Sequence, residues 1–330
     1  MNNQIFFGLL NLTIALFVTT YLIPKIILFG RKYNLIDKSD KRKKNRENMV
    51  RVGGISIFIG FFISQIITFG FLNIIHIEDI FLNKNTFLAL AGMLFFFLIG
   101  LFEDFFTLSP FLRLALQALV MSVIWYQGFG IQILDISFLN LKSTELMLSP
   151  ILNFLITFLW LVGVTNAINW VDGLDGLLGG TALINFLGIA SISFYQGNFT
   201  LFYISLSLVG CCAGFLVYNF YPSRIFMGDS GSYFLGFSLA SLSILTFTSF
   251  NAETLLGDFS IHKSLCLLAI PILDMIFVIF LRIKEARSPF LPDRSHLHFR
   301  ILDTGISVSS TVSIIYGLAV IFTIIAYLLK

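Results

Sequence analysis

Charged residues are scarce in this sequence, and their scarcity excludes two broad classes of protein. Of 330 residues, 21 are Lys or Arg and 18 are Asp or Glu, so charged side chains make up 12% of the chain. Soluble domains usually carry about 25% charged residues. Hydrophobic residues make up 57% of the chain. This composition excludes an ordinary soluble enzyme and an intrinsically disordered chain.

Cysteine and histidine are also rare. The three cysteines (Cys211, Cys212 and Cys266) all lie in apolar runs, which excludes a disulfide-rich secreted scaffold and predicts buried thiols. None of the four histidines belongs to a His-Glu-x-x-His motif, so a zinc-dependent intramembrane protease is excluded. The Asp-Gly-x-x-Ala-Arg pattern of the CDP-alcohol phosphotransferases is absent as well.

The sequence is rich instead in long apolar runs. A helix needs roughly 20 apolar residues to cross the hydrocarbon core of a membrane. Ten runs approach this length, at approximately 4–23, 52–72, 86–102, 112–128, 149–165, 177–195, 199–217, 231–249, 264–281 and 309–329. We therefore predict an all-α protein, a polytopic transmembrane helical bundle of about ten spans that forms a single domain over residues 1–330.

The basic residues are distributed unevenly between the two sides of this bundle. When the connecting loops are assigned alternately to the two sides, 17 of the 21 Lys and Arg residues fall on one side. By the positive-inside rule this side is cytoplasmic. Its loops lie near 24–51, 103–113, 166–176, 218–230 and 282–308.

The loop at 30–51 is the most basic of these. One interpretation is a topology signal that also attracts anionic lipid. The other is that some of its basic side chains contact an anionic substrate, the candidates being Arg42, Lys43, Lys44, Arg46 and Arg51.

Acidic residues collect in short motifs in the other cytoplasmic loops. Glu103 and Asp104 end the third span, and adjacent carboxylates at a membrane boundary are costly unless they face water, a cation or hydrogen-bond donors. The pair therefore predicts either a hydrated helix end or a site for a metal or phosphate. Arg113 and Gln117 follow on the next helix, four residues apart and so on one face.

The second motif is a polar stripe. Asn166, Asn169, Asp172 and Asp175 are spaced by three residues, so in a helix their side chains lie on one face. Oxygen donors of this kind suit a metal ion that also has phosphate ligands. A polar loop between two spans is the alternative.

Two further motifs precede the last spans. Asp229 lies between glycines at the predicted start of a helix, as either an N-cap or part of an anion site. Arg287, Arg294, Arg300 and His296 favour phosphate binding, since zinc would need a third His or Cys near His296 and His298. Asp274, inside the ninth span, either positions the site or bonds a neighbouring helix.

All four motifs reach the predicted cytoplasmic face. Carboxylates, basic residues and a divalent ion at a membrane surface suit a reaction between a cytoplasmic phosphorylated compound and a lipid phosphate. The lipid phosphate monoester has a second pKa of about 6 and is already mostly dianionic at neutral pH. We therefore predict that Asp104 orients the lipid phosphate, which is the acceptor in such a reaction, or the metal ion, rather than abstracting a proton.

The motifs resemble those of one enzyme family. Residues 100–104 (GLFED) resemble its G-x-x-D-D, and residues 166–177 (NAINWVDGLDGL) its N-x-x-N-x-x-D-G-x-D-G-L. Residues 226–232 (FMGDSGS) are similar to F-M-G-D-x-G-S, and residues 293–298 (DRSHLH) to D-R-x-H-x-H. The family is that of the polyprenyl-phosphate N-acetylhexosamine-1-phosphate transferases.

The resemblance implies a reaction and a set of roles. An N-acetylhexosamine-1-phosphate would pass from a UDP-N-acetylhexosamine to undecaprenyl phosphate with release of UMP, initiating cell-envelope glycan synthesis. The implied cofactor is Mg²⁺, with Mn²⁺ as an alternative. The implied catalytic residues are Glu103, Asp104, Asp229 and His296, and the implied metal ligands are Asn166 and Asp229.

The implied substrate-binding residues are Arg113, Asn169, Asp172, Asp175, Phe226, Arg294 and His298. Among these, Asp172 and Asp175 would help to seat the nucleotide, Phe226 would stack on uracil, and His298 would contact donor phosphate or sugar. The resemblance also implies a bacterial inner (cytoplasmic) membrane location, contact with membrane lipids and no nucleic-acid partner. It leaves open whether the protein forms a homodimer.

Several departures from the family pattern leave the sugar open. Glu103 replaces the usual first Asp, Phe299 stands where acetylglucosamine enzymes often have a further His, and Asn48-Met49-Val50 replaces Pro-Thr-Pro. A phospho-N-acetylmuramoyl-pentapeptide transferase is an alternative that the absence of a triple histidine disfavours. A secondary transporter is the main alternative outside enzymes, but it predicts polar residues near mid-span and broken helices.

Overall fold

The computed structural model describes residues 2–37, 49–74, 83–139, 145–250, 257–288 and 294–329. Four of the basic residues suggested as substrate contacts, Arg42, Lys43, Lys44 and Arg46, lie outside these ranges, as does Asp293.

The described chain is mainly helical. Its helices are α1 (Asn2–Lys32), α2 (Gly54–Ile74), α3 (Lys84–Phe106), α4 (Pro110–Tyr126), α5 (Pro150–Phe158), α6 (Val164–Val171), α7 (Leu177–Tyr195), α8 (Phe199–Asn219), α9 (Gly228–Phe247), α10 (Ile261–Leu267), α11 (Ala269–Lys284), α12 (Leu297–Leu302) and α13 (Val308–Leu328). A π-helical stretch, Leu159–Gly163, joins α5 to α6, so these two helices form one continuous span over Pro150–Val171.

The helices confirm a polytopic transmembrane bundle. Eight helical segments in the described part of the chain are long and apolar enough to cross a membrane. The helices α10 and α11 form a further apolar pair, bent by 86° where they meet, and α4 is a shorter apolar helix of 17 residues. Each of the ten predicted runs therefore coincides with one helix or one joined pair.

Helices α8 and α9 form the centre of the bundle. Within their apolar windows, 89% of α8 and 94% of α9 is buried, against 22% of α1 and 28% of α13. Four buried serines of α9 donate their hydroxyls to carbonyls of the same helix, as where Ser238 donates to the Phe234 carbonyl at 2.6 Å; the others are Ser232, Ser241 and Ser243. This local bonding lets a polar helix occupy an apolar interior.

Close helix packing brings α3 to the start of α9. A Cβ added to Gly100 of α3 would lie 2.2 Å from the carbonyl oxygen of Asp229, so any larger residue at position 100 would separate the two helices. Glycine therefore places the end of α3, with its two carboxylates, against the first turn of α9.

The structure also contains a small sheet that the sequence did not predict. Its strands are β1 (Ile133–Asp135), β2 (Glu145–Met147), β3 (Thr248–Phe250) and β4 (Gly257–Phe259), in the order β2-β1-β4-β3. Strands β1 and β4 are parallel and the other two pairs are antiparallel. Strand β3 directly follows α9, so the sheet lies at the opposite end of that helix from Asp229. Strands of three residues are too short to show an alternating pattern in the sequence.

Candidate active site

The site is built around the first turn of α9. Gly228 has φ of +76°, and a Cβ there would lie 1.9 Å from the carbonyl oxygen of Arg51, so only glycine fits. The turn presents its free backbone amides to Asp104 of α3. The Asp229 amide donates to Asp104 Oδ1 at 2.9 Å and the Ser230 amide donates to Oδ2 at 3.0 Å.

Both carboxylate oxygens of Asp104 are thus bonded to another helix, and its side chain has no exposed surface. The carboxylate caps the N-terminus of α9, where negative charge is favourable. Asp104 thereby fixes the position of its neighbour Asp229.

Two arginines offset the charge of the acidic cluster, which we define as Glu103, Asp104 and Asp229. Arg51 Nη2 lies 3.2 Å from Asp104 Oδ1 and 3.7 Å from Asp229 Oδ2. Arg113 Nη1 lies 3.6 Å from Glu103 Oε1 and 3.7 Å from the same Asp229 Oδ2. The outer oxygen of Asp229 therefore faces both guanidinium groups without a hydrogen bond to either.

These charges keep Arg51 fully ionised. Burial acts to lower the pKa of its guanidinium, but Asp104 and Asp229 act in the opposite sense, and the pKa is raised above its ordinary value. Glu103 is fixed in turn by the loop before α4, since the Leu108 amide donates to Glu103 Oε2 at 2.5 Å.

Helix α6 supplies the amide side chains of the site. Asn169 Nδ2 donates to Asp229 Oδ1 at 2.7 Å and to Ser232 Oγ at 2.7 Å. Asn166, one turn earlier, donates to Gln117 Oε1 of α4 at 2.7 Å. Of the four residues of the predicted polar stripe, only Asn166 and Asn169 lie in α6, which ends at Val171; they reach α4 and α9 respectively.

The donor set fits a hard divalent cation whose coordination is completed by a substrate. Within the described ranges, no group of three or more His, Cys, Asp and Glu side chains is arranged to hold a metal. Mg²⁺ commonly takes only one or two protein carboxylates and completes its shell with water and phosphate oxygens. Asp229 Oδ2 suits that mode, because Asn169 occupies only the other oxygen of this carboxylate.

A second group of side chains lies around α12. We call it the histidine cluster and define it as Asp274, His296, His298 and Trp170. Asp274 Oδ2 lies 2.7 Å from His296 Nδ1, and Asp274 Oδ1 accepts from the Leu297 amide at 2.6 Å. Trp170 packs its ring edge-on against His296 with 5.6 Å between centroids. Of the two roles suggested for Asp274, positioning is the one that these contacts favour.

His298 is buried against the loop that follows α6. Its ring stacks on His296 at 5.5 Å, and a Cβ at Gly173 would lie 2.0 Å from His298 Nε2. Burial, and to a lesser extent His296, lowers the pKa of His298 to about 3, so this ring is neutral at physiological pH.

Asp175 joins two loops of the site. Its Oδ2 accepts from the Ser223 amide at 3.0 Å. The neighbouring Gly176 amide donates to Asn219 Oδ1 at 3.0 Å, and Asn219 Nδ2 donates to the Ile225 carbonyl at 2.8 Å. Asp172 ends α6 and is half-buried. Nucleotide seating by Asp172 and Asp175 stays a prediction.

The other predicted substrate contacts lie at different depths. Phe226 is 9% exposed, and its backbone bonds Val50 and Gly53. Arg294 is partly exposed and pairs with Asp303 at 2.6 Å. Stacking of Phe226 on uracil and substrate contact by Arg294 therefore stay predictions.

Asn219 and Arg51 make contacts in the site that the sequence analysis did not predict. Asn219 was not identified, because a single Asn at the end of an apolar run carries no pattern. Arg51 was identified only as one member of a basic loop, although its place two residues before Gly53-Gly54 distinguishes it from the others.

Comparison with known proteins bears on this site. The model of glycosyl transferase family 4 matches residues 86–247, which include the acidic cluster and α6. A Bacillus subtilis (strain 168) protein named "Probable undecaprenyl-phosphate N-acetylglucosaminyl 1-phosphate transferase" is 32% identical over 96% of this chain and 83% of its own length.

Two further relatives are similarly close. The Escherichia coli (strain K12) undecaprenyl-phosphate alpha-N-acetylglucosaminyl 1-phosphate transferase is 31% identical over 87% of this chain and 76% of its own length. The decaprenyl-phosphate N-acetylglucosaminephosphotransferase of Mycobacterium tuberculosis (strain ATCC 25618 / H37Rv) is 31% identical over 94% of this chain and 79% of its own.

Proposed function

The chain belongs to glycosyl transferase family 4, and on that basis we propose that it transfers an N-acetylhexosamine-1-phosphate from a UDP-linked sugar to undecaprenyl phosphate, releasing UMP. The observation that carries the proposal is the arrangement at the start of α9. There Asp229 is fixed by Asp104 and Asn169 and faces two guanidinium groups, so a carboxylate for a cation lies beside two groups that attract phosphate.

In this mechanism the protein positions charge around a phosphoryl group. Asp229 and Asn166 would hold Mg²⁺, which would polarise the diphosphate and stabilise the charge that develops on leaving UMP. Arg51 and Arg113 would attract phosphate oxygens, because the planar guanidinium matches them in geometry and charge. Positioning and charge stabilisation are the main sources of rate in phosphoryl transfer.

Asp104 acts in this mechanism as a positioning residue. Both of its oxygens accept backbone hydrogen bonds from α9, Oδ1 also accepts from Arg51, and the side chain has no exposed surface through which a substrate proton could reach it. The acceptor phosphate, with a second pKa of about 6, supplies its own negative charge at neutral pH.

The acidic and histidine clusters would face the cytoplasm in a bacterial inner membrane. The support is the charge asymmetry, with 17 of 21 basic residues on the side that carries these motifs. A cysteine substituted at exposed Ser288 should be labelled by a membrane-impermeant maleimide only after the cells are opened. Labelling of intact cells would contradict this orientation.

The proposed reaction is tested by assaying release of UMP from detergent-purified protein supplied with undecaprenyl phosphate. A panel of UDP-N-acetyl sugars, including UDP-N-acetylmuramoyl-pentapeptide, identifies the donor. We expect UMP and a lipid-linked sugar diphosphate in equal amounts from an N-acetylhexosamine donor. Turnover of the pentapeptide donor alone would indicate the alternative transferase, and absence of UMP release with every donor would contradict the enzyme.

A further inference from the structure

Arg51 is held against the start of α9 by its backbone. The Phe226 amide donates to the Val50 carbonyl at 2.9 Å, and the Gly53 amide donates to the Phe226 carbonyl at 3.0 Å. The Gly54 amide donates to the Met227 carbonyl at 2.7 Å. Arg51 therefore lies on a segment fixed to the active site, whatever the conformation of the basic loop before it.

The guanidinium of Arg51 contacts one carboxylate firmly and a second one loosely. Its Nε and Nη2 lie 3.3 and 3.2 Å from Asp104 Oδ1, within hydrogen-bond distance. Nη2 lies 3.7 Å from Asp229 Oδ2, which is too long for a good hydrogen bond. The interaction with Asp229 is thus the one that can be given up while Asp104 keeps the side chain in place.

Charge balance shows why giving it up is favourable when ligands bind. When its three carboxylates are all ionised, the acidic cluster and the guanidiniums of Arg51 and Arg113 together carry a net charge of about −1. A divalent cation alone changes this to about +1, and a diphosphate carrying two negative charges returns it to about −1. A cation at Asp229 Oδ2 would repel the Arg51 guanidinium, which lies 3.7 Å from that oxygen, and a bound diphosphate would attract it.

We propose that Arg51 exchanges partners during the reaction, neutralising Asp229 in the empty site and contacting the donor diphosphate once a divalent cation occupies Asp229 Oδ2. This inference rests on the proposed function and deepens it. In the empty site Arg51 competes with the cation for the carboxylate. In the loaded site it adds to the attraction for the diphosphate, so its removal has opposite effects on the two states.

Mn²⁺ binding to the full-length protein in detergent, followed by electron paramagnetic resonance, tests the exchange. The variant R51M removes the charge. Without nucleotide it should bind Mn²⁺ about tenfold more tightly than the wild type, and the gain in Mn²⁺ affinity caused by UDP-N-acetylglucosamine should fall about tenfold. K284M, which removes an exposed lysine from the last turn of α11, is the matched control and should leave both values unchanged.

The outcomes separate this inference from a scaffolding role. If Arg51 only holds Asp104 in place, R51M weakens Mn²⁺ binding with and without nucleotide, and the exchange is wrong. R51K keeps the charge but not the planar fork, so it should restore wild-type affinity for Mn²⁺ alone and only part of the nucleotide effect. If R51M fails to elute as a folded protein, R51Q replaces it.

The measurements also distinguish a wrong proposed reaction from a wrong partner exchange by Arg51. Absence of UMP release with every UDP-sugar, from wild-type protein that binds Mn²⁺, contradicts the proposed reaction but leaves the competition between Arg51 and Mn²⁺ measurable. Normal UMP release together with identical Mn²⁺ binding by wild type and R51M contradicts only the exchange. Absence of any Mn²⁺ binding by active wild-type protein also contradicts it.

Discussion

The acidic cluster and the histidine cluster both contact the C-terminal end of α6, through Asn169 and Trp170 respectively. They differ in how exposed and how charged their side chains are. Around the acidic cluster, the side chains of Arg51, Arg113 and Asp229 are 20–25% exposed, and opposite charges face each other at 3.2–3.7 Å. In the histidine cluster, His298 is 2% exposed, and its ring is neutral because burial lowers its pKa to about 3.

This difference assigns different tasks to the two clusters. Solvated opposite charges at marginal distances can change partners when a charged ligand arrives. A buried pair of stacked rings held by a carboxylate cannot do so without losing its packing. We therefore expect ion pairs of the acidic cluster to change when the cation and the phosphates bind. We expect the histidine cluster to keep the same conformation.

The largest effect on UMP release is expected at Asp229, because the acidic cluster is proposed to bind the cation and the histidine cluster is not. D229A should abolish UMP release while the protein still inserts and folds, because it removes the carboxylate proposed to hold the cation. The sequence alternative that Asp229 is the N-cap is wrong, because α9 begins at Gly228 and Asp104 accepts from its first free amides, so D229A should leave the helix start capped. Near-normal turnover and metal dependence in D229A, measured beside the thermal unfolding midpoint, would contradict the assignment.

The next largest effect is expected at Asp104. In D104N an amide Nδ2, which is a hydrogen-bond donor, replaces one carboxylate oxygen. It would face one of the two α9 amides or the Arg51 guanidinium, which are donors as well, so Asp229 loses its fixed position. We expect turnover to fall by about 10³-fold and to stay low at every pH.

The pH–rate profile of D104N separates positioning from base catalysis. A lost base would be compensated as pH rises through the second pKa of the acceptor phosphate, about 6, because the dianion needs no deprotonation. Recovery to wild-type rates at mildly alkaline pH would therefore reinstate Asp104 as the base.

The sequence predicted the spans and the side chains of both clusters better than it predicted their contacts. Apolar runs of about 20 residues have few alternatives to a membrane helix, and the three-residue spacing of Asn166 and Asn169 places both on one face of α6. The partners of these residues are 49 and 60 positions away, at Gln117 and Asp229. Local spacing carries no information about such pairs.

The contact between Asp104 and Arg51 was unpredictable for the same reason. The two residues are 53 positions apart, and their contact depends on glycines that let α3 and the segment before α2 reach α9. The small sheet was missed because its strands have three residues each. Tertiary contacts rather than local propensity determine such short strands.

A smaller effect on kcat/KM is expected at Asp274, which tests whether this carboxylate holds the histidine cluster in one conformation. The carboxylate bonds both His296 Nδ1 and the Leu297 amide. An Asn there offers only one acceptor oxygen and leaves the His296 tautomer unspecified. We expect D274N to lower kcat/KM for the UDP-sugar by about 10- to 100-fold, as for other residues that orient a functional His.

A double-mutant cycle supplies the control for Asp274. If Asp274 acts through His296, D274N should cause little further loss in an H296Q background, and D274E should recover part of the activity. Additive losses would show instead that Asp274 contributes only to the packing of α11 against α12.

The smallest effect is expected from protonation of His298, which should change stability rather than turnover. The pKa of His298 is about 3 in the native protein and about 6.5 in an unfolded chain. Between these values the unfolded state binds a proton that the native state does not, so stability falls as pH decreases. At pH 5 this linkage costs the native state about 2 kcal/mol.

H298N lacks this titration, so its unfolding midpoint in detergent should fall less steeply than that of the wild type between pH 6.5 and 5. Above pH 7 the two proteins should differ by a constant amount, because the wild-type ring is then neutral in both states. Turnover of the wild type should likewise show no inflection from His298 between pH 5 and 8. Parallel stability curves for the two proteins across the acidic range would mean that His298 takes up a proton in the native state, and the histidine cluster would then resemble the acidic one in its response to charge.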